Sequence, residues 1–306
     1  MREENITIGA GGKYPLAGIL TLPDKPEKCP ALLLVHGSGP LDKDERVGAL
    51  TPFKDIAEYL AANGIASLRY DKRTFVYGKQ LTKDLKTPTV REETIEDAVS
   101  AANLLRNDPR ILSDKIFIAG HSLGGMLAPR IDAEGGDFAG IMIMAGSPRR
   151  LLEIIADQNA AVVASLSGFT LRIAQKQVAK FTNDLREFDA LSDEESKNRE
   201  MFSINGYYFK EMEAHSAGDY LLKAEKPVLI MQGEKDFQVS VEKDFGGYQA
   251  LLQDRPNVKF HLYPGLSHMF TPSVYGNIRK YKKEYDVPAK VNEQVLTDIK
   301  DFILSV

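Results

Sequence analysis

The chain has 306 residues, enough to bury a large core as a single α/β unit, and its 43% hydrophobic and 27% charged content is that of an ordered globular protein. The formal net charge is −4, without an extended basic run, which excludes the electrostatic footprint of nucleic-acid binding. No stretch approaches the ~20 apolar residues of a membrane span, residues 1–8 lack the charged start and apolar core of a secretory signal, and the single cysteine, Cys29, permits no intramolecular disulfide. Together these point to the cytoplasm. Cys29 falls in a proline-rich turn with no catalytic pattern around it, and Arg149-Arg150 and residues 280–283 read as solvated surface.

Residues 5–10 and 17–22 are short strand-like runs joined at Gly11-Gly12, the pattern of an antiparallel hairpin. Residues 31–35, Ala-Leu-Leu-Leu-Val, form a continuous apolar run that ends in His36-Gly37, as expected of a strand buried on both faces of a parallel sheet. A helix is predicted over 51–63, with Pro52 in its first turn and Gly64 just past its end, then a strand over 65–70 and a helix over 91–107. Further strands are predicted at 116–119, 140–145, 227–231 and 258–262, with helices at 241–252 and 291–304. Strands alternating with helices at this spacing argue a doubly wound, mostly parallel sheet.

One interval breaks the rhythm. About eighty residues separate the strands at 140 and 227, where such connections usually need a helix and two to six loop residues. The interval carries helical apolar spacing at Leu151, Leu152, Ile154 and Ile155, at Val162, Val163 and Leu166, and at Ile173, Val178 and Phe181. The expected organisation is a core of residues 1–148 and 226–306, with residues 149–225 as a helical cap over the carboxyl edge of the sheet.

Gly120-His121-Ser122-Leu123-Gly124 matches G-x-S-x-G between a predicted strand and a predicted helix. That context is a sharp turn that lifts a serine hydroxyl clear of the backbone, and its tightness demands small flanking residues. A serine needs a base. Of the five histidines, His268 stands in a loop just after the last strand. The others are less suited: His36 precedes a glycine turn, His121 is inside the elbow, His215 lies in the cap, and His261 shares an outward face with Lys259. Asp236 follows the strand at 227 and supplies the carboxylate that orients an imidazole, with Glu234 and Asp244 as the fallback acids. The order Ser122, Asp236, His268 is that of the nucleophile-elbow hydrolases. Two backbone N–H groups must also meet the developing oxyanion. Leu123 is expected to give one and Ser38, in His36-Gly37-Ser38-Gly39-Pro40, the other, ahead of Gly37.

These segments, with Arg69-Tyr70-Asp71-Lys72-Arg73 and Tyr263-Pro264-Gly265-Leu266-Ser267-His268, resemble the bacterial α/β-hydrolase carboxylesterases and, more distantly, the dienelactone-hydrolase and prolyl-oligopeptidase-like catalytic domains. The resemblance covers nearly the whole chain except the cap. It implies an eight-stranded α/β-hydrolase fold and hydrolysis of a small-molecule ester through an acyl-enzyme, without metal or organic cofactor. It leaves a homodimer open. Members often continue with glycines after Asp71-Lys72-Arg73, whereas here Thr74-Phe75-Val76-Tyr77 follows, so residues 74–90 are expected to be a loop shaping a different acyl site, and Asp71 and Arg73 a structural ion pair. A peptidase, amidase or thioesterase could use the same triad. Peptidase relatives often hold a substrate amino group with extra acids, for which Asp42, Asp44 and Glu45 are the candidates, although a solvated loop is the plainer reading. A non-catalytic ligand-binding module is disfavoured because all three triad residues are present.

Overall fold

The structure, a computed structural model, describes residues 1–24 and 27–306. Its strands in chain order are β1 (Arg2–Ile8), β2 (Leu16–Leu22), β3 (Cys29–Val35), β4 (Ala66–Tyr70), β5 (Ile111–His121), β6 (Gly140–Met144), the two-residue strands β7 (Glu200–Met201) and β8 (Ile204–Asn205), β9 (Val228–Gly233) and β10 (Val258–Tyr263). Eight of them form one sheet in the order β1-β2-β4-β3-β5-β6-β9-β10, and β7 pairs with β8 apart from it. The first two strands are an antiparallel hairpin that joins β4 antiparallel, and all other neighbours in the sheet are parallel. The central strands are covered on both faces, and Ala31 to Val35 are fully buried, which is why they read as unbroken apolar runs.

The helices packed around this sheet are α1 (Pro52–Ala62), α2 (Arg73–Asp84), α3 (Glu96–Asn107) and α4 (Leu123–Ile131), followed later by α10 (Gly246–Leu252), α11 (Tyr281–Tyr285) and α12 (Glu293–Ser305). The longer ones against the sheet, α1, α3 and α12, are seated by an apolar stripe. In α12, Val295, Ile299, Phe302 and Ile303 are buried at helical spacing, and Phe302 meets Phe117 of β5 edge to face with ring centroids 6.1 Å apart. Between β6 and β9 the chain forms α5 (Leu151–Ala164), α6 (Gly168–Asp189), α7 (Asp193–Ser196), the β7–β8 hairpin, α8 (Gly206–Glu213) and α9 (Ala217–Lys223).

Several expectations need correction. Residues 74–90 are not a loop throughout, because α2 occupies most of them, with Tyr77 at a non-helical φ of −121° inside it. Arg73 does not pair with Asp71. It donates to both oxygens of Asp97 and to Glu96, while Asp71 accepts from the backbone of Lys43. Arg149 and Arg150 are not free surface cations: Arg149 grips Asp244 and Asp157, and Arg150 grips Asp189 and Glu213, so they tie the insertion to itself and to the helical segment after β9. Cys29 begins β3 and is buried, with burial pushing its thiol up from the usual range. The middle of the preceding turn, Lys25-Pro26, lies outside the described residues.

Candidate active site

The turn from β5 into α4 is as tight as the G-x-S-x-G spacing requires. A Cβ on Gly120 would stand 2.1 Å from the Gly124 carbonyl oxygen, and a Cβ on Gly124 would stand 2.3 Å from that of Val35, so neither position accepts a side chain. Between them Ser122 is held at φ 53°, ψ −116°, a sparsely populated conformation for a residue with a Cβ. Its N–H is anchored on the Met144 carbonyl at 2.8 Å, at the end of β6. Leu123 opens α4, so its N–H has no partner in the preceding turn of helix.

The loop after β3 lies against this turn, as a Cβ on Gly37 would be 3.2 Å from Ser122 Cβ. Gly37 N–H is already committed, donating to Glu45 Oε1 at 2.7 Å. Among the described residues the Ser38 N–H has no acceptor. The Gly37 carbonyl, on the other side of the loop, accepts from Lys72 Nζ at 2.8 Å. Behind the loop, His36 donates from Nε2 to the Asp42 carbonyl at 2.9 Å and packs on Phe53 and Tyr70.

Asp236 and His268 come from the loops after β9 and β10. The His268 Nδ1–H donates to Asp236 Oδ2 at 2.7 Å. The other oxygen, Oδ1, accepts from the N–H groups of Gln238 and Val239 at 2.8 and 3.0 Å. Both side chains are almost completely buried, yet the His268 ring still borders the cavity that Ser122 lines. Of the fallback acids, Glu234 instead accepts from Gly265 N–H at the surface, and Asp244 holds Ser147, Ser240 and Arg149 together. Neither reaches His268. His261 bonds Asp298 on the edge strand, and His215 bonds Tyr220 in the insertion.

Two buried polar clusters around the loop were not apparent in the sequence, where Glu45 was a candidate only for holding a substrate amino group. His121 donates from Nδ1 to Glu45 Oε1 at 3.0 Å and from Nε2 to the His268 carbonyl at 3.0 Å. The His268 carbonyl can only accept and Glu45 Oε1 also accepts from Gly37 N–H, so both ring nitrogens are placed to donate. Burial opposes both charges, but the facing partner prevails on each side: Glu45 lifts His121, and His121 holds Glu45 below the usual carboxylate range. Glu45 thus stands inside the protein, 1% exposed, and Asp44 binds Arg69, which overturns the solvated-loop reading of the acidic run. In the second cluster Lys72 Nζ also contacts Glu93 Oε1 at 2.7 Å, and Glu93 Oε2 accepts from the Tyr208 hydroxyl of α8 at 2.7 Å. The signal available in the sequence was position alone: His121 is inside the elbow, and Glu45 and Lys72 each follow a segment that ends at the sheet's carboxyl edge.

These elements enclose a cavity of about 950 Å3. Its floor holds Ser38, Ser122, Leu123 and His268, one wall is α2 with Thr89 and Glu93, and its roof is the segment between β6 and β9, including Leu151, Ile154, Ile155, Phe202 and Phe209. No group of His, Cys, Asp and Glu side chains with metal-site geometry occurs among the described residues.

A mostly parallel sheet with a hairpin at its first edge, a nucleophile-elbow turn after its central strand, and loops after the last two strands converging on that turn is the α/β-hydrolase fold. Within it, residues 31–272 match the family described as Hydrolase_4, "Serine aminopeptidase, S33", and the chain belongs to that family. It is 32% identical over 297 residues to Esterase EstD of Thermotoga maritima, covering 97% of this chain and 66% of that protein, so the chain spans somewhat less than two thirds of that relative. Among solved structures, Est1E from Butyrivibrio proteoclasticus superposes with a TM-score of 0.61 at 18% identity over 98% of both chains. The Pyrococcus furiosus esterase Pf2001 gives a TM-score of 0.57 at 16% identity over 99% of this chain and 91% of that one. Both share the fold. No helix among the described residues is long and apolar enough to cross a membrane.

Proposed function

We propose that this protein is a serine carboxylesterase that acts through an acyl-enzyme, with Ser122 as nucleophile, His268 as base and Asp236 as its orienting carboxylate. The observation that carries the reading is the His268 Nδ1–H bond to Asp236, which leaves Nε2 as the lone-pair nitrogen beside the cavity where Ser122 stands on its strained turn. Ser122 Oγ attacks the ester carbonyl carbon as His268 Nε2 takes its proton. The carbonyl oxygen becomes an oxyanion met by the N–H groups of Ser38 and Leu123. The C–O bond to the alcohol then breaks, and the alcohol departs with the proton from His268. Water attacks the acyl-enzyme, gives its proton to His268 and releases the acid, and the proton returns to Ser122.

The name of the Thermotoga relative supports an ester substrate, and so does the fate of the acids near the loop. Holding a peptide's amino group needs an uncommitted carboxylate; Glu45 and Glu93 are both paired inside the protein, and of the carboxylates that line the cavity only the exposed Glu200 has no partner among the described residues. Residues 149–225 act in this reading as a cap whose apolar side chains receive a small-to-medium acyl or aryl group. The enzyme works in the cytoplasm, as its lone buried thiol suggests, and a homodimer is the assembly to look for by light scattering.

The test is labelling with a fluorophosphonate, followed by a panel of p-nitrophenyl esters set against aminoacyl p-nitroanilides. Wild type should take one adduct and hydrolyse the esters. Ser122→Ala should take none and lose about four orders of magnitude in kcat/KM. A wild type that leaves the esters intact but cleaves the anilides would make it a peptidase.

A further inference from the structure

The Gly37–Ser38 peptide has its two ends in different surroundings. Its N–H, on Ser38, belongs to a residue that lines the cavity. Its carbonyl, on Gly37, accepts from Lys72, whose side chain is 2% exposed. There are no cis peptide bonds among the described residues, and in a planar trans peptide the carbonyl and the N–H point in opposite directions. A donor that fixes the Gly37 carbonyl on the buried side therefore fixes the Ser38 N–H on the cavity side. The donor is cationic, and charge-assisted bonds are shorter and stronger than neutral ones. A carbonyl polarised by an ammonium also makes the N–H of the same peptide a better donor, since bonds in such chains reinforce one another. Gly37 N–H, one peptide earlier, is pinned by Glu45, so this turn of backbone is restrained from both sides.

We propose that Lys72 is a positioning residue for the oxyanion site: it aims and polarises the Ser38 N–H through the Gly37 carbonyl, and it is itself held by Glu93, which Tyr208 of the cap completes. The proposal rests on the serine hydrolase reading. It assigns Lys72 a purpose that neither of its neighbours shares, because Asp71 binds the Lys43 backbone and Arg73 binds Asp97. It also gives the cap a direct polar line to the catalytic backbone. Tyr208 lies on α8, and losing its bond leaves Glu93 freer to draw Lys72 away from Gly37.

Lys72→Met alone would strand Glu93, so the main variant is Lys72→Met combined with Glu93→Gln, which removes both charges and keeps an acceptor for Tyr208. The companion variant is Tyr208→Phe, which keeps the ring and removes only the bond. Folding is checked by thermal denaturation. The readouts are the rate of fluorophosphonate attachment to Ser122 and steady-state hydrolysis of one p-nitrophenyl ester. In the double variant both the attachment rate and kcat should fall about 10- to 100-fold, as when a supporting group or part of an oxyanion hole is lost, while KM moves less than about threefold. Tyr208→Phe should show the same split to a smaller extent. A wild-type attachment rate and kcat in any folded one of these variants overturns the proposal and leaves the esterase reading standing. A wild type that takes no label at Ser122 overturns that reading first, and the role of Lys72 with it.

Discussion

His36 sits where a second proton cannot be accommodated. Burial between Phe53, Tyr70 and the loop pushes its pKa down to about 4 from 6.5, and its one ring donor is spent on the Asp42 carbonyl. An unfolded chain would bind a proton there below pH 6.5 while the folded one would not, so this residue's contribution to stability is present above 6.5 and lost as the pH falls toward 4. By about pH 5 the loss is on the order of 2 kcal/mol. His121 works in the opposite sense, since its raised pKa gives stability that is present below 6.5 and lost at higher pH. Urea denaturation of wild type and His36→Gln at about pH 7 and about pH 5 separates the two, and the variant should lose markedly less on acidification. Equal losses in both proteins would refute the burial argument. At this scale the sequence was most legible where chemistry imposes a fixed pattern: the glycines around Ser122, and an acid and a histidine in loops after the last two strands. It was least legible where a charge is neutralised by a residue far along the chain. Nothing near Glu45 announces His121, and nothing near Arg73 announces Asp97.

Elements were readable to the extent that burial was uniform. Residues 31–35 stood out because both faces of β3 are covered. Only residues 116–119 of β5 stood out, because Ser113, Asp114 and Lys115 in its first half are exposed or half-buried and look like loop. Helix α2 was missed for a related reason: its Thr, Val and Tyr residues are indifferent helix formers, and only Arg73 and Leu81 are buried along it. The order β5, turn, α4 makes its own prediction. Gly124→Ala would drive a methyl into the carbonyls of Val35 and His36, 2.3 and 2.6 Å away, and the neighbours are backbone that cannot swing aside. The expected cost is at least about 2 kcal/mol in denaturant unfolding, at the upper end for overpacked sites. The same methyl would spread β3 from the elbow and lower kcat. A variant as stable as wild type would mean that the turn is looser than its geometry states.

Over the whole molecule, the sheet supplies the floor of the cavity and the segment between β6 and β9 supplies its roof. That segment was visible in the sequence as an overlong interval with helical apolar spacing, whereas its way of attachment was not. It is seated by Arg130 on Glu211, by Gln158 on the Gln238 carbonyl and by Tyr208 on Glu93, each joining residues at least about eighty positions apart. Ile155 looks down from α5 into the cavity. Ile155→Trp should therefore shorten the acyl chain that is accepted, moving the p-nitrophenyl ester optimum toward acetate with little change in melting temperature. An unchanged chain-length profile would place the acyl group elsewhere in the cavity.

The length of that same interval has a consequence for how the molecule comes to exist. β6 and β9 lie side by side in parallel register although about eighty residues separate them. Closing such a loop costs only about 2 kcal/mol more than closing one of ten residues, so the finished protein hardly registers it. The rate of assembly does, because pairing between distant segments is slow and must wait for the later segment to be made. On the ribosome, Ser122 and its elbow emerge well before Asp236 and His268. In the proposed mechanism the nascent chain carries, throughout that time, a nucleophile with no base, and its triad is complete only when the last quarter of the chain docks.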